Sequence, residues 1–249
     1  SQESGVGLVG IRNSTHFGTA AFFSTMALEQ SMIGIALANS YATVAPWGSS
    51  ARYFGTNPLS VAVPAGQELP IILDMATSVA AWGKVILAAQ KGEPIPLGWA
   101  LDATGEVTSD ATKALQGALI PFGGPKGSGI SLIIDILVGI LTGANYGPHV
   151  GDLYQNLDRS QNVGQMLGAI KIDRFADISE FKSRMDRMIR EIKALPSAKG
   201  VKEVILPGEP EFRNQQKRGK EGIPLPEVTV QELKKLSSSY GVPWNPQKI

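Results

Sequence analysis

The sequence predicts an α/β protein in which a mixed sheet is flanked by helices, and three observations support this prediction. Short apolar runs rich in β-branched residues are typical of strands, and they recur at residues 6–12, 33–40, 59–63, 70–74 and 166–172. Runs with apolar residues at helical spacing separate them, at residues 19–28, 79–89, 130–141 and 177–192. The 249 residues, 43% of them hydrophobic, can bury a core as one large or two small domains.

The first strand is followed by a turn that contains His16, one of only two histidines in the chain. Residues 6–12 predict the strand and residues 19–28 predict a buried helix, so His16 is expected between them. An imidazole, with an ordinary pKa of about 6.5, can give or take a proton near neutral pH. Asn13 and Ser14 can fix its tautomer or bind a ligand oxygen. The alternative is a histidine satisfied by hydrogen bonds in the core.

The glycines of residues 5–10 match the G-x-G-x-x-G pattern of dinucleotide-binding proteins. That fingerprint follows a strand and opens a helix, whereas these glycines lie at the start of a predicted strand. We therefore do not predict a Rossmann-type site.

Polar residues stand at the ends of two later strands. Ser40 ends the run at residues 33–40, and Asp74 ends the run at residues 70–74. The loop at residues 55–58, Gly-Thr-Asn-Pro, suits close approach to a ligand. Asp74 is placed either to cap the helix that follows it or to accept a hydrogen bond from a ligand, and the sequence leaves both roles open.

A glycine-rich segment at residues 121–129 runs into the apolar residues 130–141, which we interpret as a buried helix. Glycines at a helix start let backbone N–H groups face outward, and the helix dipole together with Lys126 makes that end attractive to a phosphate. The segment is not a Walker A loop, because the required order of glycines, lysine and hydroxyl residue is absent. A packing turn with a solvated lysine is the alternative.

The remaining segments predict ordinary structure. Residues 95–102 are expected to form an exposed connection, and residues 203–206 a strand. Capping residues predict two helix starts, with Asp177 and Glu180 opening one helix and Thr229 opening the last. Between them, the charged residues 212–222 predict a further helix.

Composition excludes several classes of partner. The 23 basic and 22 acidic residues create no global field for nucleic acid or an anionic membrane. Without cysteine there are no disulfides and no cysteine metal sites, and two separated histidines make a metal site unexpected. No apolar run reaches the roughly 18 residues of a membrane span. We expect a cytoplasmic protein with no metal.

Six short motifs occur in series, and together they closely resemble the malate/L-lactate dehydrogenase family, which includes ureidoglycolate and sulfolactate dehydrogenases. They are Asn-Ser-Thr-His-Phe-Gly at residues 13–18, Gly-Thr-Asn-Pro at 55–58, Asp-Met-Ala-Thr-Ser at 74–78, Ala-Trp-Gly-Lys at 81–84, Gly-Gly-Pro-Lys-Gly at 123–127 and Leu-Pro-Gly-Glu at 206–209. The resemblance covers nearly the whole chain.

The resemblance implies transfer of a hydride between NAD or NADP and a small 2-oxo or 2-hydroxy acid, on a non-Rossmann fold. It implies that His16 is the acid/base, and the neighbouring Asn13 and Ser14 are the further catalytic candidates by their position. It implies cofactor contacts at Ser40 and at residues within the motifs: Asp74, Met75, Ala76, Pro125, Lys126, Gly208 and Glu209.

The last predicted helix carries apolar side chains that need a surface to cover, and it docks either on its own domain or on a partner. The resemblance favours a partner in a homodimer. Residues 1–211 are expected to form the catalytic and cofactor-binding domain, and residues 212–249 a helical segment at the dimer interface. Members of the family carry a further N-terminal segment with an arginine for the substrate carboxylate, and Ser1 is expected to follow that point. The alternative function is therefore an inactive dinucleotide-binding fragment.

Overall fold

The computed structural model describes residues 1–152 and 158–244. The chain divides into two compact units, Ser1–Pro207 and a second unit that starts at Gly208. No helix within the described residues is both long and apolar enough to cross a membrane.

The first unit is built on a five-stranded sheet. Its strands are β1 (Val6–Ser14), β2 (Met32–Ala38), β3 (Leu59–Val63), β4 (Ile71–Met75) and β8 (Val163–Lys171). Their order across the sheet is β1-β8-β2-β3-β4, and every neighbouring pair is antiparallel. The α/β class with flanking helices is confirmed, while the sheet is antiparallel where the sequence predicted a mixed one.

A second, three-stranded antiparallel sheet has the order β6-β5-β7. Its strands are β5 (Ala100–Leu101), β6 (Val107–Thr108) and β7 (Ala118–Leu119). It encloses a core cluster with α2 (Trp82–Lys91) and α3 (Ala111–Ala114). Ile95 and Ala100 are buried in this cluster, whereas Leu97 is 73% exposed, so the predicted exposed connection at residues 95–102 is only partly correct.

Helix α1 (Ala20–Thr25) packs on β2 and β3 of the large sheet. The approach is close enough to require glycine at position 34, because a Cβ there would lie 1.9 Å from the carbonyl oxygen of Ser24. The hydroxyl groups of Ser24 and Ser60 form a hydrogen bond, with their oxygens 2.7 Å apart. The helix is shorter and more exposed than predicted, since only Ala20 and Ser24 are buried and Phe22 is 63% exposed.

Helix α4 (Pro125–Asp135) continues into a π-helical turn, Ile136–Ile140. It packs against β2 and β8 through Ile134 and Val138. Its other apolar side chains are not buried, and Ile133 and Leu141 are 55% and 67% exposed. The prediction of a buried helix at residues 130–141 is therefore wrong for one face.

Helix α5 (Ile178–Lys193) begins as predicted, with Asp177 accepting a hydrogen bond from the amide of Glu180 at 2.9 Å. Residues 203–206 do not form the predicted strand. Strand β4, predicted as buried, lies at the sheet edge with its residues half-buried or exposed.

The second unit contains α6 (Glu209–Glu221) and α7 (Glu227–Tyr240). Helix α7 begins after Pro226, so Thr229 lies inside it and the predicted capping box is wrong. The helix ends before Gly241, as predicted. Neither helix contains a buried residue.

Candidate active site

His16 lies in the loop between β1 and α1, as the sequence predicted. The amide of Gly18 donates a hydrogen bond to its Nδ1 at 3.2 Å. Because Nδ1 accepts here, the neutral imidazole carries its proton on Nε2. The backbone of the same residue is held from another direction, since the His16 amide donates to Gln161 Oε1 at 3.3 Å.

Gln161 connects the histidine loop to a distant part of the chain. Its side chain is buried, and its Nε2 donates to the carbonyl oxygen of Gly151 at 3.0 Å. Gln161 cannot be identified from the sequence, because it lies in an irregular polar stretch with no local pattern to distinguish it. Its importance follows from contacts 145 residues apart.

His16 lines a small cavity of about 80 Å³. The polar side chains that share this cavity are those of Asn39, Ser40, Tyr41, Thr56 and Gln161. The structure thus brings together His16 and Ser40, two residues predicted from separate segments. Tyr41, Thr56 and Gln161 are additional polar residues of the site.

Ser40 is held against the loop at residues 55–58. Its hydroxyl accepts a hydrogen bond from the Thr56 amide at 3.1 Å and lies 3.4 Å from the Thr56 hydroxyl. A Cβ on Gly55 would lie 2.3 Å from both the carbonyl and the hydroxyl oxygen of Ser40, so this approach requires glycine. Two hydroxyl groups therefore stand side by side at the cavity.

Asn13 and Ser14 hold the end of β1 and do not line the cavity. Asn13, with a φ of 55°, lies within the register shift between Ile11 and Ser14, and its amide donates to Asn162 Oδ1 at 2.8 Å. The hydroxyl of Ser14 accepts from Gln165 Nε2 at 2.9 Å. These bonds indicate that both residues anchor the histidine loop, while their predicted chemical role remains a prediction.

Asp74 caps α1 rather than the helix that follows it in sequence. Its Oδ2 accepts from the Thr19 hydroxyl at 2.5 Å and from the Ala21 amide at 2.8 Å. No described residue donates a hydrogen bond to its Oδ1, and the side chain is exposed. The carboxylate therefore stabilises the helix start next to the histidine loop and keeps one oxygen available.

Met75 and Ala76 connect Asp74 to Thr77, which contacts the loop at residues 55–58. Both are half-buried, and Met75 pairs with Leu59 in the sheet. Thr77, which follows them, is fully buried and donates its hydroxyl to the carbonyl oxygen of Thr56 at 2.9 Å. The segment from Asp74 to Thr77 is thereby tied to the same loop as Ser40.

Lys126 lies in the first turn of α4, because the helix starts at Pro125 and not at residue 130 as predicted. The amides of this turn do not face outward: those of Lys126 and Gly127 donate to the carbonyl oxygens of Gly123 and Phe122. The backbone phosphate cradle expected from the sequence is therefore wrong. The exposed ammonium group of Lys126 remains as a positive charge at the helix start.

Gly208 and Glu209 open the second unit. Gly208 has a φ of 94° and precedes the first residue of α6, and Glu209 forms an ion pair with Arg213 at 3.2 Å. Their predicted contacts with the cofactor remain predictions.

A buried polar network connects to the His16 cavity through Asn39, which lines it. Asp135 accepts hydrogen bonds from Asn39 Nδ2 at 2.9 Å and from the Gly147 amide at 2.8 Å. Burial raises the pKa of Asp135, and these two hydrogen bonds oppose the rise. Within the described part of the chain, no group of three or more acidic, histidine or cysteine residues is placed to hold a metal ion.

Comparison with known proteins identifies relatives that span nearly all of this chain. The family model described as malate/L-lactate dehydrogenase matches residues 1–234. The malate/(S)-sulfolactate dehydrogenase of Methanothermus fervidus is 40% identical over 244 residues, which cover 97% of this chain and 69% of that protein. A ureidoglycolate dehydrogenase (NAD(+)) of Escherichia coli is 36% identical and covers 94% of this chain, with 66% of its own length matched.

Solved structures show the same fold. The sulfolactate dehydrogenase of Methanocaldococcus jannaschii superposes with a TM-score of 0.87 at 38% identity, covering 97% of this chain and 69% of that one. The malate dehydrogenase of Entamoeba histolytica gives a TM-score of 0.92 at 30% identity, covering 98% and 71%. Fold, motifs and matches together define a dehydrogenase-type protein. The chain belongs to the malate/L-lactate dehydrogenase family.

Proposed function

We propose that this chain transfers a hydride between NAD or NADP and a small 2-hydroxy or 2-oxo acid, with His16 as the acid/base. The observation that carries the proposal is the placement of His16 in a cavity with Ser40, Tyr41 and Thr56, in a chain that belongs to this family. Relatives named for malate, sulfolactate and ureidoglycolate support the substrate class. The catalytic and cofactor-binding parts are assigned chiefly to the first unit.

The polar and charged groups of Ser40, Thr56, Asp74 and Lys126 suit the proposed cofactor. The hydroxyls of Ser40 and Thr56 suit a carboxamide, the available oxygen of Asp74 suits a ribose hydroxyl, and the ammonium of Lys126 suits a phosphate. The predicted contacts of Met75, Ala76, Pro125, Gly208 and Glu209 are proposed on the family resemblance. When bound, the cofactor supplies or accepts the hydride at the carbon that bears the substrate oxygen.

The part played by His16 is to move a proton at that oxygen. The Gly18 amide occupies Nδ1, so Nε2 is the nitrogen that can meet a substrate oxygen. Giving a proton requires the imidazolium, in which Nδ1 also carries hydrogen and cannot accept from Gly18. Taking a proton at Nε2 requires the other neutral tautomer, which also protonates Nδ1. Turnover in either direction therefore requires the contact between Gly18 and Nδ1 to open.

His16→Ala tests this function. We expect kcat to fall roughly 10²- to 10⁴-fold, the usual contribution of general acid-base catalysis, with little change in cofactor affinity. His16→Gln is the matched control for lost hydrogen bonding, and we expect it to be equally slow because an amide does not titrate. Absorbance of the reduced nicotinamide with oxaloacetate and pyruvate measures turnover. Unchanged kcat in both variants would remove His16 from the mechanism.

Cofactor binding without turnover in the unmodified chain would instead support the inactive dinucleotide-binding alternative.

We also propose that the protein is a homodimer whose C-terminal helices cover the partner. Apolar side chains of this segment are exposed in the single chain, including Ile223 at 69%, Val228 at 70% and Leu236 at 53%. Helices of this length are marginal in water unless an apolar face is covered, so these side chains need a surface to pack against.

A further inference from the structure

A second and larger cleft lies beside the His16 cavity. It has a volume of about 410 Å³, and its lining includes Tyr41, Asn145, His149, Asp152 and Arg159. Tyr41 lines both spaces. Gln161 also links them, because it lines the His16 cavity and donates to the carbonyl oxygen of Gly151, which lines the second cleft.

The two volumes together leave room for a ligand that extends through both spaces. Small-molecule sites are commonly about 300–1,000 Å³, and the His16 cavity of about 80 Å³ is well below that range. With the reacting end of a substrate at His16, an adjoining space is available for the rest of the molecule. The cleft reached past Tyr41 has the required size.

The cleft has a positive side chain available. Among residues 1–152 and 158–244, no carboxylate forms an ion pair with Arg159, whose side chain is exposed. The ring nitrogens of His149 also have no hydrogen-bond partner among those residues, although the ring packs edge-on against Tyr146 with centroids 5.2 Å apart. A guanidinium group can hold the two oxygens of a carboxylate or sulfonate at once.

The negative charge in the cleft is offset by a second arginine. Burial lowers the pKa of Arg52, and the neighbouring Tyr41 and Asp152 oppose that effect. Asp152 is thus within electrostatic reach of the Arg52 guanidinium, which is itself fixed by hydrogen bonds to the carbonyl oxygens of Leu115 and Gly117. Asp152 and Arg159 are the charged side chains that line the cleft, and Arg52 adds a further positive charge within electrostatic reach of Asp152.

We propose that this cleft binds a second acidic group on the substrate, with Arg159 as its main contact and His149 as an additional donor. The inference rests on the proposed function and deepens it, because it names dianionic 2-hydroxy acids as the preferred substrates. The second acidic group is a carboxylate or a sulfonate, and a monoanion such as lactate leaves the cleft unused.

Arg159→Gln tests the contact by kinetics. Loss of a charge-assisted hydrogen bond predicts that kcat/KM for oxaloacetate falls about 10- to 100-fold, while kcat/KM for pyruvate changes less than about 3-fold. Arg187→Gln makes the same chemical change on α5, outside both spaces, and is expected to alter neither value. Equal losses for the two acids, or no loss for oxaloacetate, would overturn the proposal.

The two histidines give a second test that does not depend on turnover. With ¹³C-labelled histidine the chain shows two ring signals, which His16→Gln assigns. In the presence of NADH we expect (S)-malate or 3-sulfolactate to shift the His149 signal saturably, lactate to leave it in place, and Arg159→Gln to abolish the shift. The two dianions distinguish carboxylate from sulfonate recognition.

The outcomes separate the two ideas. An unmoved His149 signal with both dianions overturns the cleft assignment even if the enzyme turns over. A saturable shift without turnover of any acid supports the cleft and counts against the proposed function.

Discussion

Asn39→Ala should destabilise the protein strongly, because Asn39 makes three buried hydrogen bonds at the end of β2. Its Nδ2 donates to Asp135 Oδ1 at 2.9 Å and to the carbonyl oxygen of Asn145 at 2.7 Å, and its Oδ1 accepts from the Gly164 amide at 2.9 Å. The side chain is only 3% exposed. Removing the Asn39 side chain leaves the Gly164 amide without this acceptor. It also leaves Asp135 Oδ1 and the carbonyl oxygen of Asn145 without this donor.

The expected cost follows from these three groups. A buried polar group left unsatisfied costs about 1–3 kcal/mol. Water can reach some of them through the adjoining His16 cavity, so we take the lower part of the range and expect a loss of about 3–5 kcal/mol. That is a large share of the roughly 5–15 kcal/mol that stabilises a typical domain.

The loss of stability in Asn39→Ala should depend on pH, because Asp135 is one of the groups that lose a hydrogen bond. Burial raises the folded-state pKa of Asp135 above its ordinary 3.8, so the folded protein binds this proton more tightly than the unfolded chain does. The contribution of Asp135 to the free energy of unfolding therefore falls as pH rises from its ordinary pKa to its raised folded-state pKa. Asn39 supports the ionised form, so the deficit of the variant should be largest near neutral pH. It should shrink as pH falls through the raised pKa.

Urea unfolding followed by fluorescence of the four tryptophans measures both effects. With a slope near 3 kcal/mol per molar, the midpoint should fall by about 1–1.7 M at neutral pH. Asn39→Asp keeps the size but places a second carboxylate beside Asp135, and it should be at least as harmful there. A midpoint shift below about 0.3 M, or a deficit that does not change with pH, would refute this reasoning.

Two further predictions concern the cofactor and the assembly. Lys126→Ala should weaken dinucleotide binding in calorimetry, and because Lys126 is exposed the loss should shrink at high salt; no loss at either salt would reject its phosphate role. Deleting residues 223–249 should convert a dimer to a monomer in light scattering and lower turnover with it, whereas a truncated chain that stays dimeric would place the interface elsewhere.

Much of the fold could be predicted because local patterns carry the information. The strands around residues 6–12 and 166–172 and the start of α5 at Asp177 each follow from a run or a cap within a few residues. The same holds for the loop position of His16. Ser40 was identifiable because a polar residue at the end of a buried strand is exceptional.

Two of the errors share a physical cause, which is that local patterns do not reveal partners far away in sequence. Asp74 has the residue type of a helix cap, but it caps a helix 53 residues earlier. Residues 130–141 are apolar, yet the pattern does not show that one face lacks cover within the chain. A third error is local: the glycines at 123 and 124 predict outward-facing amides, whereas tight turns bond the amides of Gly124, Lys126 and Gly127 to nearby carbonyl oxygens.

The position of β8 between β1 and β2 has a consequence for how the protein is made. β1 and β2 do not pair with each other, because β8 lies between them and forms hydrogen bonds with both. β8 leaves the ribosome about 130 or more residues after either strand. The β2-β3-β4 meander can form early, but the sheet closes only when Val163–Lys171 inserts. Pairing over such separations is slow, so we expect late, rate-limiting closure. Because Gln161 and Asn162 precede that strand directly, a nascent chain has no assembled histidine loop until insertion is complete.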